Sequence, residues 1–369
     1  MRMGLSRLAG GLCAAACAAL VAGSIVPVQA ATGAAVPGWR QVYSKHYGVA
    51  ANNSSFGTVV ATSKDNAWAL GGSDLSGGNG TKPQAVAAHW NGHGWSDVAL
   101  PAGVPDDIDA ASAPASNDIW AVTHLGGYIL HWNGSHWSIA KRLKAGSALL
   151  PPQLTGVVAL SATNVWVFGA SGDTGGFGTW HYNGKAWSEW RRDAVNISVG
   201  SAVSATSIWA IGGLSAPQSA IVHFINGTWH LVSASALSGL QFGGIQAFSN
   251  TNIWVSASAA TGSTVVSYLL HYNGKWTRYK LPWSVLTTQH LASDGQGGLW
   301  LTTLSPSSGQ TYAVHRTAKG AWARTSTFAI GQAGVLDLAH IPGTSSLWAV
   351  GLKAGKTNTS AVIWADGTI

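Results

Sequence analysis

A tryptophan set in a short apolar segment returns seven times along the chain. The segments "NAWALGG", "NDIWAVT", "TNVWVFG", "TSIWAIGG", "TNIWVSA", "GGLWLTT" and "SSLWAVG" place Trp68, Trp120, Trp166, Trp209, Trp254, Trp300 and Trp348 at spacings of 52, 46, 43, 45, 46 and 48 residues. Self-similarity at such a period is the signature of a repeat architecture, and it outranks any local reading. A second marker follows each of the first six, in the style of "AAHWNGHGWSD" or "LLHYNGKWTRY", and ends in Trp95, Trp137, Trp187, Trp229, Trp276 and Trp322. A small-residue run such as "LTGVVALS" precedes each first marker. Each unit therefore reads as four short strands: a small-residue strand A, the tryptophan strand B, a His-aromatic strand C, and strand D. Strands C and D flank the Asn-Gly turn, a strong short hairpin signal because both central residues of such a turn take positive φ. Units of this kind repeated around an axis describe an all-β, seven-bladed β-propeller.

The two ends of the chain complement each other. The last unit stops at "AVIWADGTI", without an outer tryptophan, and "GWRQVY" near the start supplies Trp39 in the missing place. An N-terminal strand is expected to complete blade seven and close the ring, which leaves no open edge. A linear solenoid would show capping repeats rather than complementary halves.

Residues 1–30 read as a secretory signal peptide. Arg2 and Arg7 precede an apolar run, and "PVQA" offers small residues for cleavage after Ala30. Glycines and Pro27 break the run, so no stable membrane anchor is expected, and residues 31–369 form a single propeller. Cys13 and Cys17 both lie in the leader, so the secreted, extracellular chain would carry no thiol and would rest on core packing alone. The formal net charge of +7 includes Arg2 and Arg7, and only 9% of residues are charged. No Lys/Arg run marks a nucleic-acid partner.

Recurrence at equivalent positions argues for structure before function. Fourteen of the twenty tryptophans are the B and D markers. Trp90, Trp132 and Trp364 are expected to share a C-strand aromatic site with Tyr182, Phe224 and Tyr272. Large rings suit the faces between flat blades. The histidines at 89, 131, 181, 223, 271 and 315 stand one per blade, too far apart for one ion, so each is expected to bond its own blade's turn. The "NGS" and "NGT" glycosylation sequons are by-products of the turns. No metal site or cofactor motif is read.

The "DIWAVT...HWNGSHW" style resembles uncharacterised secreted seven-bladed propellers of actinobacteria, and more distantly kelch/galactose-oxidase-like propellers. Its turn is similar to the Asp-box of sialidase-type propellers, with Asn mostly in place of Asp. The sialidase arginine triad and tyrosine have no counterpart, so the resemblance implies the fold and not that chemistry. It also implies the lectin or recognition role common among secreted propellers.

With strand A innermost, the B–C loops and D–A linkers share one face and the A–B and C–D turns the other. Sequence variety lies in the first set, where binding is usual on a rigid frame. Trp180, Trp190 and Trp283 stand outside the repeat. Trp190 with Arg191 and Arg192, and Trp283 with His290 nearby, are the ligand-binding candidates: an aromatic among polar neighbours suits a sugar ring or a partner hot spot. The linker "VPDDID" presents Asp106, Asp107 and Asp109, but lacks the spaced ligands of a calcium loop. No nucleophile-elbow, zinc or dinucleotide motif appears. The first reading is thus a recognition propeller for a glycan or an extracellular protein, alone or within a larger secreted complex. The alternative is a lyase or hydrolase at the central mouth. Clustering of His290 with carboxylates there would favour it, and a mouth of Ser, Ala and Gly would count against it.

Overall fold

The small residues before each B-strand tryptophan form the innermost strand of a blade, where the ring is narrowest. In the structure, a computed structural model, residues 38–75, 82–144, 152–170, 177–190, 196–213, 220–261, 264–281, 286–304, 311–325, 333–367 and 369 are described. The expected leader and the segments holding Arg191, Arg192 and Trp283 lie outside them. Inner strands run over Ser55–Ser63, Ile108–Ala115, Gln153–Ser161, Asn196–Ser204, Gln241–Ser249, Leu286–Ser293 and Ala333–His340. Each opens a four-stranded antiparallel sheet in the order A-B-C-D, and there are seven such sheets among the described residues. Each inner strand touches those of its two neighbours, and the last touches the first. The chain is a seven-bladed β-propeller.

Blade seven takes its strand D from the N-terminus, since Arg40–Lys45 pairs antiparallel with Thr359–Asp366. Trp39 then obeys the rule of the other D-strand tryptophans, which meet the B-strand tryptophan of the preceding blade. Trp137 meets Trp68 at 5.3 Å, Trp229 meets Trp166 at 5.8 Å, Trp95 meets Trp348 at 5.0 Å and Trp39 meets Trp300 at 5.9 Å, all near perpendicular. Edge-to-face geometry suits the ring quadrupoles and adds about 0.5–1.5 kcal/mol per pair beyond burial.

The repeating histidines do what their recurrence implies. Each stacks on its own blade's B-strand tryptophan, as His271 does on Trp254 at 3.8 Å and His223 on Trp209 at 4.0 Å. Each then bonds a polar residue at the A–B turn: His89 to Asn66, His131 to Asp118, His181 to Asn164, His223 to Ser207, His271 to Asn252 and His315 to Asp294.

Two local expectations need correction. Positive φ at both Asn and Gly occurs in blade four, where Asn226 (55°) and Gly227 (81°) join Ile225 directly to Thr228. In blades one to three the hairpin closes two residues later, at Trp90–Trp95, Trp132–Trp137 and Tyr182–Trp187. There the Asn side chain accepts the next backbone N–H groups, as Asn91 does from His93 and Gly94, and only the glycine goes left-handed. The second correction concerns Trp364. It pairs with Ala349, one residue beyond the B-strand tryptophan, where blade three has Trp180 opposite Val167. The C-strand aromatic site of blade seven falls instead to Asp366, opposite Leu347.

Candidate functional site at the channel mouth

The inner strands bulge near the face formed by B–C loops and D–A linkers, and bulges re-aim side chains. Register shifts lie between Ile108 and Ala110 in blade two, Thr287 and Leu291 in blade six, and Val335 and Asp337 in blade seven. These irregularities present Asp109, His290 and Asp337.

His290 Nδ1 lies 2.8 Å from Asp337 Oδ1, joining blades six and seven. Asp337 is itself fixed on all sides. It accepts from Thr58 Oγ1 and the Val59 N–H of blade one, each at 2.9 Å, and from the Leu338 N–H at 2.8 Å. A buried carboxylate must find such donors, and these hold it in one orientation. The His290 side chain keeps 30% of its surface accessible, against 11% for Asp337. Burial works against a charged His290 ring, but the charge and hydrogen bond of Asp337, then the charge of Asp109, hold its pKa above the ordinary value.

Blade two builds the opposite side. The D–A linker turns sharply at Asp106 (φ 87°), whose carboxylate accepts the N–H groups of Leu125 and Gly126 in the B–C loop. His124 N donates to Asp107 O at 3.0 Å, and His124 Nδ1 bonds the Asp109 carboxylate. Burial, reinforced by Asp109 and Asp106, pushes the Asp107 carboxyl up to about 8. Burial alone would lower His124, but its bond to Asp109 and the charges of Asp109, Asp107 and Asp106 outweigh it and raise the ring to about 9. Gly57 lets the two sides approach: a Cβ there would meet Ile108 O at 2.6 Å.

Below this rim the channel is lined by the inner strands, and the surface it exposes is more polar than apolar. A cavity of about 430 Å³ is lined by Val59, Ala111, Ser112, Gln246, Leu291 and Leu338 among others. Val59, Leu291 and Leu338 directly follow Thr58, His290 and Asp337 in sequence, so the cavity adjoins the His–Asp pair.

The structure thus unites His290 with carboxylates at the mouth. Trp190 lies elsewhere, half-buried between blades three and four, with its ring 4.9 Å from Trp166 and 5.8 Å from Phe224. The acidic linker joins the mouth with His124 as its partner. Among the described residues no group of three or more His, Cys, Asp and Glu side chains is arranged to hold a metal ion. Asp337 carries a sequence signal, a lone carboxylate inside the apolar strand "GVLDLAH"; His124 carries none beyond standing outside the repeat.

No protein-family model and no curated protein matches the chain. Solved structures do. YCF48 bound to D1 peptide is similar at a TM-score of 0.58 and 12% identity, over 90% of this chain and 98% of that one. A catalytically inactive virginiamycin B lyase from Staphylococcus aureus, with quinupristin, is similar at 0.53 and 10% identity, over 90% and 100%. U3-55K is similar at 0.56 and 12% identity, over 91% and 100%. Identities this low show the fold alone.

Proposed function

We propose that the chain is a recognition propeller that acts outside the cell and binds a peptide or protein segment at the mouth of its channel. One observation carries this reading: Asp106 and Asp109 from blade two and Asp337 from blade seven converge there, beside two histidines. Such a rim suits a segment that offers Lys, Arg or a free amine, and its contribution falls with salt. The peptide held by the similar YCF48 propeller supports a protein ligand for this architecture. Export rests on the leader read in residues 1–30. The lectin-like reading rests on Trp190, Arg191, Arg192 and Trp283, and a glycan array tests it. Pull-down from culture supernatant, with wild type beside a D106N/D109N variant, tests the proposal. Capture of one partner by the wild type and its loss in the variant is expected; equal capture by both overturns the mouth as the binding site. The lyase or hydrolase alternative draws on a separate observation, the His290–Asp337 pair.

A further inference from the structure

We propose that the channel mouth is also a hydrolytic site, in which His290, oriented by Asp337, is the general base that activates water against an ester. The inference rests on the mouth being the ligand site.

Geometry comes first. Asp337 takes the Nδ1 side of the imidazole, which leaves Nε2 as the acceptor, and among the described residues nothing bonds it. The carboxylate that orients the ring cannot turn away, because Thr58, Val59 and Leu338 hold it. A base oriented by a third group is the arrangement that activates a weak nucleophile. The accessible part of His290 admits water. A second His–Asp pair stands nearby, since Asp109 both bonds His124 and acts on His290.

The step balances with water alone. His290 Nε2 takes a proton as the water oxygen bonds the acyl carbon, and the carbonyl π pair moves onto its oxygen. Collapse of that intermediate breaks the bond to the alcohol oxygen, and the proton on His290 passes to the departing alkoxide. The products are an acid and an alcohol. In this scheme Asp337 is a positioning residue and His290 the catalytic one.

The probes are p-nitrophenyl acetate and p-nitrophenyl butyrate, hydrolysed by the full chain and followed as nitrophenolate release. The wild type is expected to exceed H290A and H290Q by roughly 100-fold in kcat/KM, the usual scale of general-base assistance. H136A alters an exposed histidine on a C–D turn and should match wild type. D337N should move the pH–rate midpoint to lower pH, because Asp337 is what raises His290, a shift that a merely structural role would not produce. Two histidine variants guard against loss of fold, each checked by its melting curve. A wild-type rate no greater than that of folded H290A or H290Q overturns the proposal. Partner capture without esterase activity overturns catalysis alone, and esterase activity without capture overturns the recognition reading alone.

Discussion

The guanidinium of Arg316 lies over the indole of Trp254, 4.7 Å from the ring centroid, at a strand-C position where blades one to five carry an aromatic ring. Arg316 pairs with Leu299, just as Trp90 pairs with Ala67 and Tyr272 with Ile253. In those other gaps the ring at this place covers the preceding blade's tryptophan, as Trp132 covers Trp68 at 4.6 Å. Arg316 also lies 5.2 Å from the Tyr279 ring and 5.8 Å from Trp322, so one planar cation fills the gap between blades five and six. Arg316→Ala should lower unfolding stability by about 1–3 kcal/mol, from lost cation–π attraction and lost packing of the stem. Arg316→Tyr should recover most of it. Urea unfolding of the two variants checks this, and equal stability of Arg316→Ala and wild type would refute it.

The seam between the last blade and the first should fail in alkali. Asp97 on strand D of blade one accepts the hydroxyls of Tyr43 at 2.7 Å and Tyr47 at 2.5 Å and pairs with Lys45, all from the N-terminal segment. Burial, then the bond and charge of Asp97, push Tyr43 up to about 12, and Tyr47 rises further for the same reasons. A raised tyrosine contributes stability that is complete below the ordinary value near 10 and is lost as pH climbs through the folded-state value. Tm should therefore hold to about pH 10 and fall between 10 and about 12. Tyr47→Phe should flatten that fall, and an unchanged profile would show that the seam does not titrate. At the acid end Asp97 is held below the usual carboxylate range, so its share disappears as pH drops through that range.

The histidines should divide by environment. His89, His181, His223 and His271 are lowered chiefly by burial, with His230 and Arg316 adding to the effect at His223 and His271. Each favours folding most above pH 6.5, and its share is lost as pH falls below that. His290 and His124 have the opposite sign, contributing below 6.5 and losing that share as pH rises through their raised values, about 9 for His124. Histidine ring resonances assigned by single substitution should show the first four titrating below 6.5 and these two above it. Titration of His124 below 6.5 would mean that Asp109 does not face it in solution.

The division between what the sequence discloses and what it hides has a physical basis. Trp68, its six counterparts and their histidines repeat because each blade must solve the same packing problem against its neighbour. Seven solutions in one chain make their own alignment, and Trp39 is legible through its absence from the last repeat. The mouth is built from exceptions. Asp337 meets Thr58 and Val59 only because the ring closes, Asp109 and Asp337 stand beside bulges of their inner strands, and neither closure nor bulge leaves a periodic mark. His290 shows itself as a histidine outside the repeat, but its partner lies in the next blade. Arg316 is hidden for a related reason: an arginine in place of an aromatic residue breaks the sequence pattern while preserving the stack.

Gly57 should prove more sensitive than its backbone conformation suggests. It sits at the bulge between Phe56 and Thr58 in the inner strand of blade one, and its φ is not left-handed. Conformation alone would therefore accept alanine. Space would not, because a Cβ would stand 2.6 Å from Ile108 O and 3.7 Å from the Cα of Asp109. Backbone oxygen cannot swing aside like a flexible side chain, so blade two's inner strand must retreat from blade one. Overpacking of this kind costs about 1–3 kcal/mol. The same retreat moves Asp109 away from blade one, and with it the charge that helps raise His290. Gly57→Ala should thus lower both Tm and the His290 titration midpoint, whereas Gly94→Ala, where a Cβ meets nothing within 4 Å, should change neither. A Gly57→Ala protein that melts like wild type, with His290 titrating as before, would show that the approach of blades one and two does not set the geometry of the mouth.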